Sequence, residues 1–476
     1  MFINGEWLHS DTTFPVYNPA TGEQLAEVAD ASAAELEHAI ASAHTAFPGW
    51  SATTAYQRAA LLSKAHQLML QQKAELAELM SKEQGKPRKA ALAEVQYGAD
   101  FLLWFAEEAK RLYGETIPSA RADQRFMVQH QAVGVVAAIT PWNYPISMIT
   151  RKVAPAVAAG CTIVLKPAEA TPLCALAMAK IFEQAGFPPG VINLVTVADP
   201  KPVGELFCSD PRIAKLTFTG STAVGKLLAT QAAPHFKRVS MELGGHAPVL
   251  VFEDADPVHT AKGLALLKFL NTGQACISPN RIFVHNSILE PFLAEFSNRI
   301  GKLKAGNGLD EGVSIGPLVN QAALNKVASQ VDDAVAKGAT LLNGGHQLTA
   351  DGLDQGCFYA PTLLSGVTPA MKIFREETFG PVAPVIGFDS EAEVLAMAND
   401  THYGLAAYVY TDSLSRAMRV SEALNFGIIG VNDINPTAAA APVGGMKQSG
   451  LGREGARQGL LEYVETKLVG LSIQSA

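Results

Sequence analysis

The 476-residue chain reads as an α/β protein, and three stretches carry that reading. Val133-Gly-Val-Val-Ala-Ala-Ile139 and Cys161-Thr-Ile-Val-Leu165 are apolar enough for buried strands, and a helix over Ser147–Ala159 lies between them. Strand, helix and strand in so short a span make a parallel βαβ unit. The pattern repeats with a helix over Leu173–Ala185, strands over Val191–Val195 and Ala214–Phe218, a helix running to Gln231 and a strand at Val239–Met241. A second α/β half follows. Its strands fall at Pro248–Phe252, Arg281–Val284, Pro381–Phe388, Ala406–Tyr410 and Gly427–Val431, with helices over Val258–Leu270 and Ile288–Ile300.

Ahead of these units the spacing is helical. Leu36, Ile40, Ala43 and Phe47 place a helix within Ala31–Trp50, since apolar side chains recur there at three to four residues. A longer helix spans Tyr56–Gln84 and stops at Gly85-Lys-Pro87, and another covers Lys89–Tyr113. A chain of this length exceeds one hydrophobic core, so two or three domains are expected.

Composition removes several function classes. A net charge of −8 with no basic stripe offers nothing to neutralise phosphates, so no nucleic-acid partner is expected. The longest apolar run, Ala132–Ile139, is far short of the roughly 20 residues that span a membrane. Met1-Phe-Ile-Asn-Gly-Glu-Trp7 lacks the basic-then-apolar layout of a signal peptide. Cys161, Cys174, Cys208, Cys276 and Cys357 are widely spaced and never form CxxC. That usage points to a reduced, cytoplasmic protein without a disulfide frame or a metal site.

Cys276 closes the run Lys268-Phe-Leu-Asn-Thr-Gly-Gln-Ala-Cys276, which begins helix-like and breaks at Asn271-Thr-Gly273. A thiol delivered by such a break can point into a cleft. Glu242 stands between an apolar strand and Gly244-Gly245. A cysteine nucleophile with a carboxylate base suffices to make and hydrolyse a thioester. Asn143, in the loop Thr140-Pro-Trp-Asn-Tyr-Pro145, could donate its amide to an oxyanion, or be an ordinary loop residue. Gly220-Ser-Thr-Ala-Val-Gly225 is either a tight strand-to-helix turn or an anion site at a helix N-terminus. Lys166-Pro-Ala-Glu169 follows a buried strand, where the two charges are either solvated or set to reach ribose hydroxyls. Glu377 and Phe379, in Glu377-Thr-Phe-Gly-Pro381, stand ahead of a strand.

Together with Glu242-Leu-Gly-Gly245, Gly273-Gln-Ala-Cys276 and Gly444-Gly-Met-Lys-Gln-Ser-Gly-Leu-Gly452, these motifs resemble the NAD(P)-dependent aldehyde dehydrogenases along essentially the whole chain. Met148-Ile-Thr-Arg-Lys152 and Ser449-Gly-Leu-Gly-Arg-Glu454 bring the succinate-semialdehyde dehydrogenase group to the fore. The resemblance implies two doubly wound α/β domains and a small β element. Residues 1–116 and 132–242, with 432–454 returning, would bind the dinucleotide. Residues 243–431 would be the catalytic domain, and 117–131 with 455–476 would join subunits of a homodimer or homotetramer. The apolar tail could equally pack on its own subunit.

It implies further that Cys276 attacks the aldehyde, that Asn143 and the Cys276 backbone N–H hold the oxyanion, and that Glu242 activates the hydrolytic water. Lys152 would help the released proton leave. Thr140, Pro141, Trp142, Lys166, Glu169, Gly220, Ser221, Leu243, Glu377 and Phe379 would frame the cofactor. Glu169 favours NAD over NADP, because relatives preferring NADP carry a small residue there. Val197 departs from the glycine usual in the nearby loop. The presence of Glu242 favours a free acid over transfer to coenzyme A.

At the substrate end Arg151 matches one of two anion-gripping arginines, while Leu270 stands in place of the second. The serine expected within Asn435–Ala441 is poorly matched, and Val443 replaces a phenylalanine. Ser278 removes a neighbouring cysteine that forms a regulatory disulfide in some relatives. Succinate semialdehyde is the leading substrate. The alternatives are a longer dicarboxylic semialdehyde, a sulfonated or phosphonated aldehyde, and lactaldehyde or glycolaldehyde. A non-enzymatic structural protein of the same fold is the remote alternative, since such proteins lose motifs that this chain retains.

Overall fold

Side chains alternate between two buried faces along Val135–Ile139, the strand on which the larger sheet is built. Val136 and Ala138 enter one hydrophobic cluster, and Val135, Ala137 and Ile139 enter another on the opposite face. A strand covered on both sides reads as a continuous apolar run, which is what parallel sheets require. In this computed structural model, which describes residues 1–473, four sheets are present among the described residues.

The largest has eight strands in the order Gly450–Leu451, Arg238–Glu242, Ile213–Thr219, Val135–Ile139, Thr162–Lys166, Ile192–Leu194, Phe2–Ile3 and Glu6–Trp7. The five from Arg238–Glu242 to Ile192–Leu194 run parallel. Chain order reverses beside Val135–Ile139: the next two strands lie to one side, and Ile213–Thr219 returns on the other. Loops beyond the C-terminal ends of strands at such a reversal form a ligand crevice. Here they are Thr140–Ile146 and Gly220–Ser221.

The second sheet has seven strands in the order Thr340–Asn343, Thr362–Ser365, Val382–Phe388, Pro279–His285, Ala247–Val251, Ala406–Tyr410 and Ile428–Val431. Only the Thr340–Asn343 edge is antiparallel. Glu115–Ile117, Gln124–Ala132 and Val464–Ser472 form a separate antiparallel sheet with Gln124–Ala132 in the middle. Thr13–Tyr17 pairs with Gln24–Ala29.

Local sequence sets the helix ends. Ser32 and Glu35 form a capping box at the start of Ala33–Ser51, and Thr54 and Gln57 form another before Ala55–Gln71. The single helix expected over Tyr56–Gln84 is two, Ala55–Gln71 and Lys73–Gln84. Gln72 leaves helical geometry at φ −97° and ψ 14°. The break is corrected by no glycine or proline, so pattern reading passes over it. The helix expected to reach Tyr113 ends at Ala109. The helix Ser147–Ala159 forms as expected and keeps Pro155 inside it.

One buried acid ties these helices together. Glu83 accepts hydrogen bonds from the backbone N–H groups of Leu173 and Cys174 at the start of helix Pro172–Ala185. Burial outweighs those bonds and pushes the Glu83 carboxyl from 4.5 up to about 7. The fold therefore favours the protonated form, and this contribution is fully present below pH 4.5 and lost as pH rises through about 7. Glu83→Gln keeps an acceptor oxygen and cannot ionise. It is expected to gain stability relative to the parent between pH 5 and pH 8, by on the order of 3 kcal/mol at most. Urea unfolding at the two pH values checks this, and an equal difference at both would contradict it.

Candidate active site

Three successive left-handed residues deliver Cys276. Helix Pro257–Phe269 gives way to Asn271, Thr272 and Gly273, with φ of 50°, 59° and 73°. A β-branched residue in that region is strained by about 1–3 kcal/mol and persists only where its surroundings hold it. The holders are specific. Thr272 Oγ1 donates to the Gly316 carbonyl at 3.1 Å and accepts from the Gly316 N–H at 3.0 Å. Asn271 Nδ2 donates to the Asn143 carbonyl at 2.9 Å. Gln274 Nε2 donates to Pro317 O, and its Oε1 accepts from Val319 N. The break expected at Asn271–Gly273 is therefore present, and it swings Cys276 away from the helix axis.

Glu242 meets the thiol from the other sheet. It ends the strand Arg238–Glu242, is 3% exposed, and accepts from Cys276 Sγ through Oε1 at 3.0 Å. Gly244-Gly245 permits that approach, because a Cβ on Gly245 would lie 2.2 Å from the Cys276 carbonyl oxygen. Burial and the negative charge of Glu242 push the Cys276 thiol well above its usual range, while Arg151 opposes them. The thiol form is therefore favoured, hydrogen-bonded to Glu242, a pair able to pass the proton from sulfur to oxygen as an electrophile arrives.

Asn143 sits across from them, 4% exposed, its Nδ2 donating to Gln274 O at 3.0 Å. A cleft of about 310 Å³ runs from Asn143 and Cys276 past Trp142 and Phe379 to Gly220 and Ser221. Pro141, Leu243 and Glu377 also line it. Trp142 and Phe379 meet edge to face at 5.6 Å, and Phe379 adopts φ 55° to do so. Glu377 Oε1 accepts from Gly245 N at 2.9 Å, and burial pushes its carboxyl up to about 7. Ser221 caps the helix Thr222–Ala232 by accepting from Val224 N, and Gly225 clears the Leu243 side chain, which a Cβ would meet at 2.3 Å. Thr140 N donates to Lys166 O, joining the ends of two adjacent strands. Lys166 and Glu169 form an ion pair beyond the second of them. Lys326 and Asn320, which the sequence pattern does not single out, complete the far wall. They belong to helix Gln321–Ala336 and the residue before it, and only the fold brings them here.

Behind Glu242 lies a buried set of four charges. Arg151 Nη2 is 2.7 Å from Glu454 Oε2 and 3.8 Å from Glu242 Oε2. Lys152 Nζ donates to Glu454 Oε1 at 2.6 Å and to Thr217 Oγ1 at 3.2 Å. Burial pushes the Glu454 carboxyl up, but Lys152 and Arg151 outweigh it and hold the group below its ordinary value. Lys152 thus connects to Glu242 only through Glu454 and Arg151. Ser278 turns toward Lys268 Nζ, 3.2 Å away, whose ammonium burial pushes down to about 7. Leu270 is 47% exposed at the end of its helix. A larger recess of about 410 Å³ between Phe374, Arg375 and Asp400–His402 contains none of these groups.

The thiol's environment is open to titration. Glu242→Gln removes the charge that disfavours the thiolate, so the pH midpoint for alkylation of Cys276 by iodoacetamide is expected to fall. An unchanged midpoint would mean that burial alone sets it.

Comparison with known proteins places the chain firmly. Residues 7–469 match the aldehyde dehydrogenase family. A rice protein named mitochondrial succinate-semialdehyde dehydrogenase is 50% identical over 98% of this chain and 88% of its own length. A Pseudomonas putida protein named 3-sulfolactaldehyde dehydrogenase is 48% identical over 99% of this chain and 96% of its own. A crystal structure of an E. coli NADP dependent enzyme superposes with a TM-score of 0.97 at 47% identity, covering 99% of this chain and 98% of that one. The chain belongs to the aldehyde dehydrogenase family and is an NAD(P)-dependent oxidoreductase with the fold of that family.

Proposed function

We propose that the protein oxidises a small aldehyde bearing a distal anionic or polar group to the free carboxylic acid, with succinate semialdehyde as leading substrate. The observation that carries the chemistry is the 3.0 Å bond from Cys276 Sγ to Glu242 Oε1 inside the cleft. Cys276 adds to the aldehyde carbon as Glu242 takes the thiol proton, giving a thiohemiacetal. The Asn143 amide and the Cys276 N–H stabilise its oxyanion. The nicotinamide cofactor, when bound, supplies the hydride acceptor that converts this adduct to a thioester. Glu242 releases that proton to solvent and, as base again, takes one from water, which attacks the thioester carbon; the thiolate expelled recovers this proton as the free acid forms. Lys152, paired with Glu454, favours departure of the first proton by its positive charge.

The chain's own residues suit such a cofactor. The crevice lies at the chain reversal of a parallel sheet, and the N-terminus of helix Thr222–Ala232 faces it with a partial positive charge. Glu377 offers a buried carboxylate for ribose hydroxyls beside the Trp142 and Phe379 rings, and Thr140, Pro141 and Leu243 shape the walls. Glu169 would accept a bond from a 2′-hydroxyl and repel a 2′-phosphate, which favours NAD. The E. coli relative named as NADP dependent leaves that preference resting on Glu169 alone.

At the substrate end, Arg151 is the cation that reaches Glu242, at 3.8 Å, and Leu270 supplies no second arginine. The relatives named for succinate semialdehyde and for 3-sulfolactaldehyde both support a short aldehyde with an anionic terminus. Residues 1–116 with 132–242 and 432–454 are read as the cofactor domain and 243–431 as the catalytic domain. The sheet formed by Glu115–Ile117, Gln124–Ala132 and Val464–Ser472 exposes Leu468 and Leu471, which supports its assignment to a dimer or tetramer contact. Five free cysteines suit the reducing cytoplasm, although the rice relative is named mitochondrial.

Two measurements test this reading. Glu242→Gln is expected to lose about 10²–10⁴-fold in kcat, the usual range for a general base, with an acylated Cys276 visible by intact mass. Turnover at the parent rate would remove Glu242 from the role. In a panel assay of NADH formation, succinate semialdehyde should exceed a neutral aldehyde of equal length by at least about tenfold in kcat/KM, one charge-assisted contact's worth. NAD should outperform NADP in the same assay. Parity between anionic and neutral aldehydes would sink the anion pocket, and a sulfonated aldehyde ranking first would reassign the substrate.

A further inference from the structure

Lys86 and Glu94 are 1% and 3% exposed and form an ion pair far from water, between helices Lys73–Gln84 and Arg88–Ala109. Neither reaches the thiol, yet both reach the loop that carries Asn143. Lys86 Nζ donates to the Asn143 backbone carbonyl at 2.9 Å and lies 3.9 Å from the centre of the Tyr144 ring. Glu94 Oε1 accepts from Ile146 N at 3.0 Å and Ser147 N at 3.2 Å. Asn271 Nδ2 supplies a second donor to the same Asn143 carbonyl. Residues 143–147 are therefore gripped at one carbonyl and two N–H groups.

We infer that the Lys86–Glu94 pair is a positioning device for the Asn143 amide and, through it, for stabilisation of the oxyanion. The inference rests on the proposed oxyanion role of Asn143. Burying two charges is expensive, and apolar side chains of similar volume commonly serve packing as well or better. What they cannot provide is a long, directional donor to a carbonyl together with an acceptor for two N–H groups. An oxyanion donor acts only if it is already in place when charge develops, and a displacement of about 1 Å costs on the order of 10²-fold. The same turn also touches the nucleophile's loop. The Gly85 carbonyl oxygen lies where a Cβ on Gly316 would stand, at 2.1 Å, and Gly316 is the residue that holds Thr272. Gly85–Pro87 thus braces both loops of the site, while no atom of it need contact the substrate.

The test is a double-mutant cycle in the full-length enzyme. Lys86→Met with Glu94→Gln neutralises the pair and keeps an acceptor for Ile146 and Ser147. It is expected to lower kcat by about 10–100-fold, with KM for the aldehyde and the NADH dissociation constant changing by less than about threefold. Introduced into Asn143→Ala, it should lower kcat by less than about threefold further, since the group it positions is gone. Lys86→Arg keeps the charges balanced and serves as a second probe should the neutral pair melt below assay temperature. Its guanidinium plane does not fit the ammonium's place under Tyr144, so it too should lose kcat in the parent and little in Asn143→Ala. Parent-like kcat in these variants, or an equal factor lost in both backgrounds, would overturn the inference. Parent-like kcat in Asn143→Ala alone would instead overturn the oxyanion role.

Discussion

A carboxyl group buried against a thiol at the meeting of two sheets is the constraint around which this molecule is arranged. Glu242 ends a strand of one sheet, and Cys276 precedes a strand of the other, so their 3.0 Å bond spans the seam between the sheets. A charge at that depth is costly without a partner. Arg151 stands 3.8 Å from it, and an arginine needs its own counter-charge, which Glu454 provides. Glu454 in turn carries Lys152. Two cations and two anions close the account, and each has a partner within the set.

The backbone then has to bring sulfur to oxygen without a side chain in the way. Gly245 does so by leaving room for the Cys276 carbonyl, and Asn271–Gly273 does so by turning the chain through left-handed geometry. Such strain is tolerable because its holders are themselves rigid. Gly316, Pro317 and Val319 bond Thr272 and Gln274, and Asn271 bonds the loop that carries Asn143. Cys276 and the Asn143 amide across from it are consequently held in one framework.

Much of this was legible in the chain, and the reasons differ by element. The strands Val135–Ile139 and Thr162–Lys166 announce themselves because burial on both faces forces an apolar run, the whole of the first and Ile163–Leu165 of the second. The break at Asn271–Gly273 is equally local. By contrast, helix Leu414–Ala423 buries little beyond Ala417 and Val420, so its apolar stripe is too narrow to stand out. Phe2–Ile3 and Glu6–Trp7 are too short to show a period. At the site, Cys276, Glu242 and Asn143 lie together, as their motifs suggested. Lys86, Glu94 and Lys326 were invisible for another reason: their roles come from contacts across many residues, and a lysine before a proline looks like punctuation. Arg151 stood out in its motif as a cation, but not as the partner of Glu454.

That last point bears on specificity. Cys276 and Glu242 are held by a hydrogen bond to each other and Asn143 by one to the Gln274 carbonyl, so few substitutions keep that geometry. Leu270 has no such duty; it is the exposed residue after a helix, where a change disturbs little else. Val443 differs again. It is 4% exposed, and its backbone exchanges hydrogen bonds with Glu454, at 2.8 Å and 2.7 Å. Glu454 therefore joins two jobs, fixing the strand beside Val443 through its backbone and holding Arg151 through its carboxylate. An incoming anion that sought Arg151 would compete with that 2.7 Å pair, gaining a fraction of the attraction a free guanidinium would give. Selectivity built on a shared cation discriminates charge more than length or acid type. On the function proposed above, aldehydes ending in carboxylate or sulfonate would meet Arg151 alike, leaving positions such as Leu270 and Val443 to tell them apart.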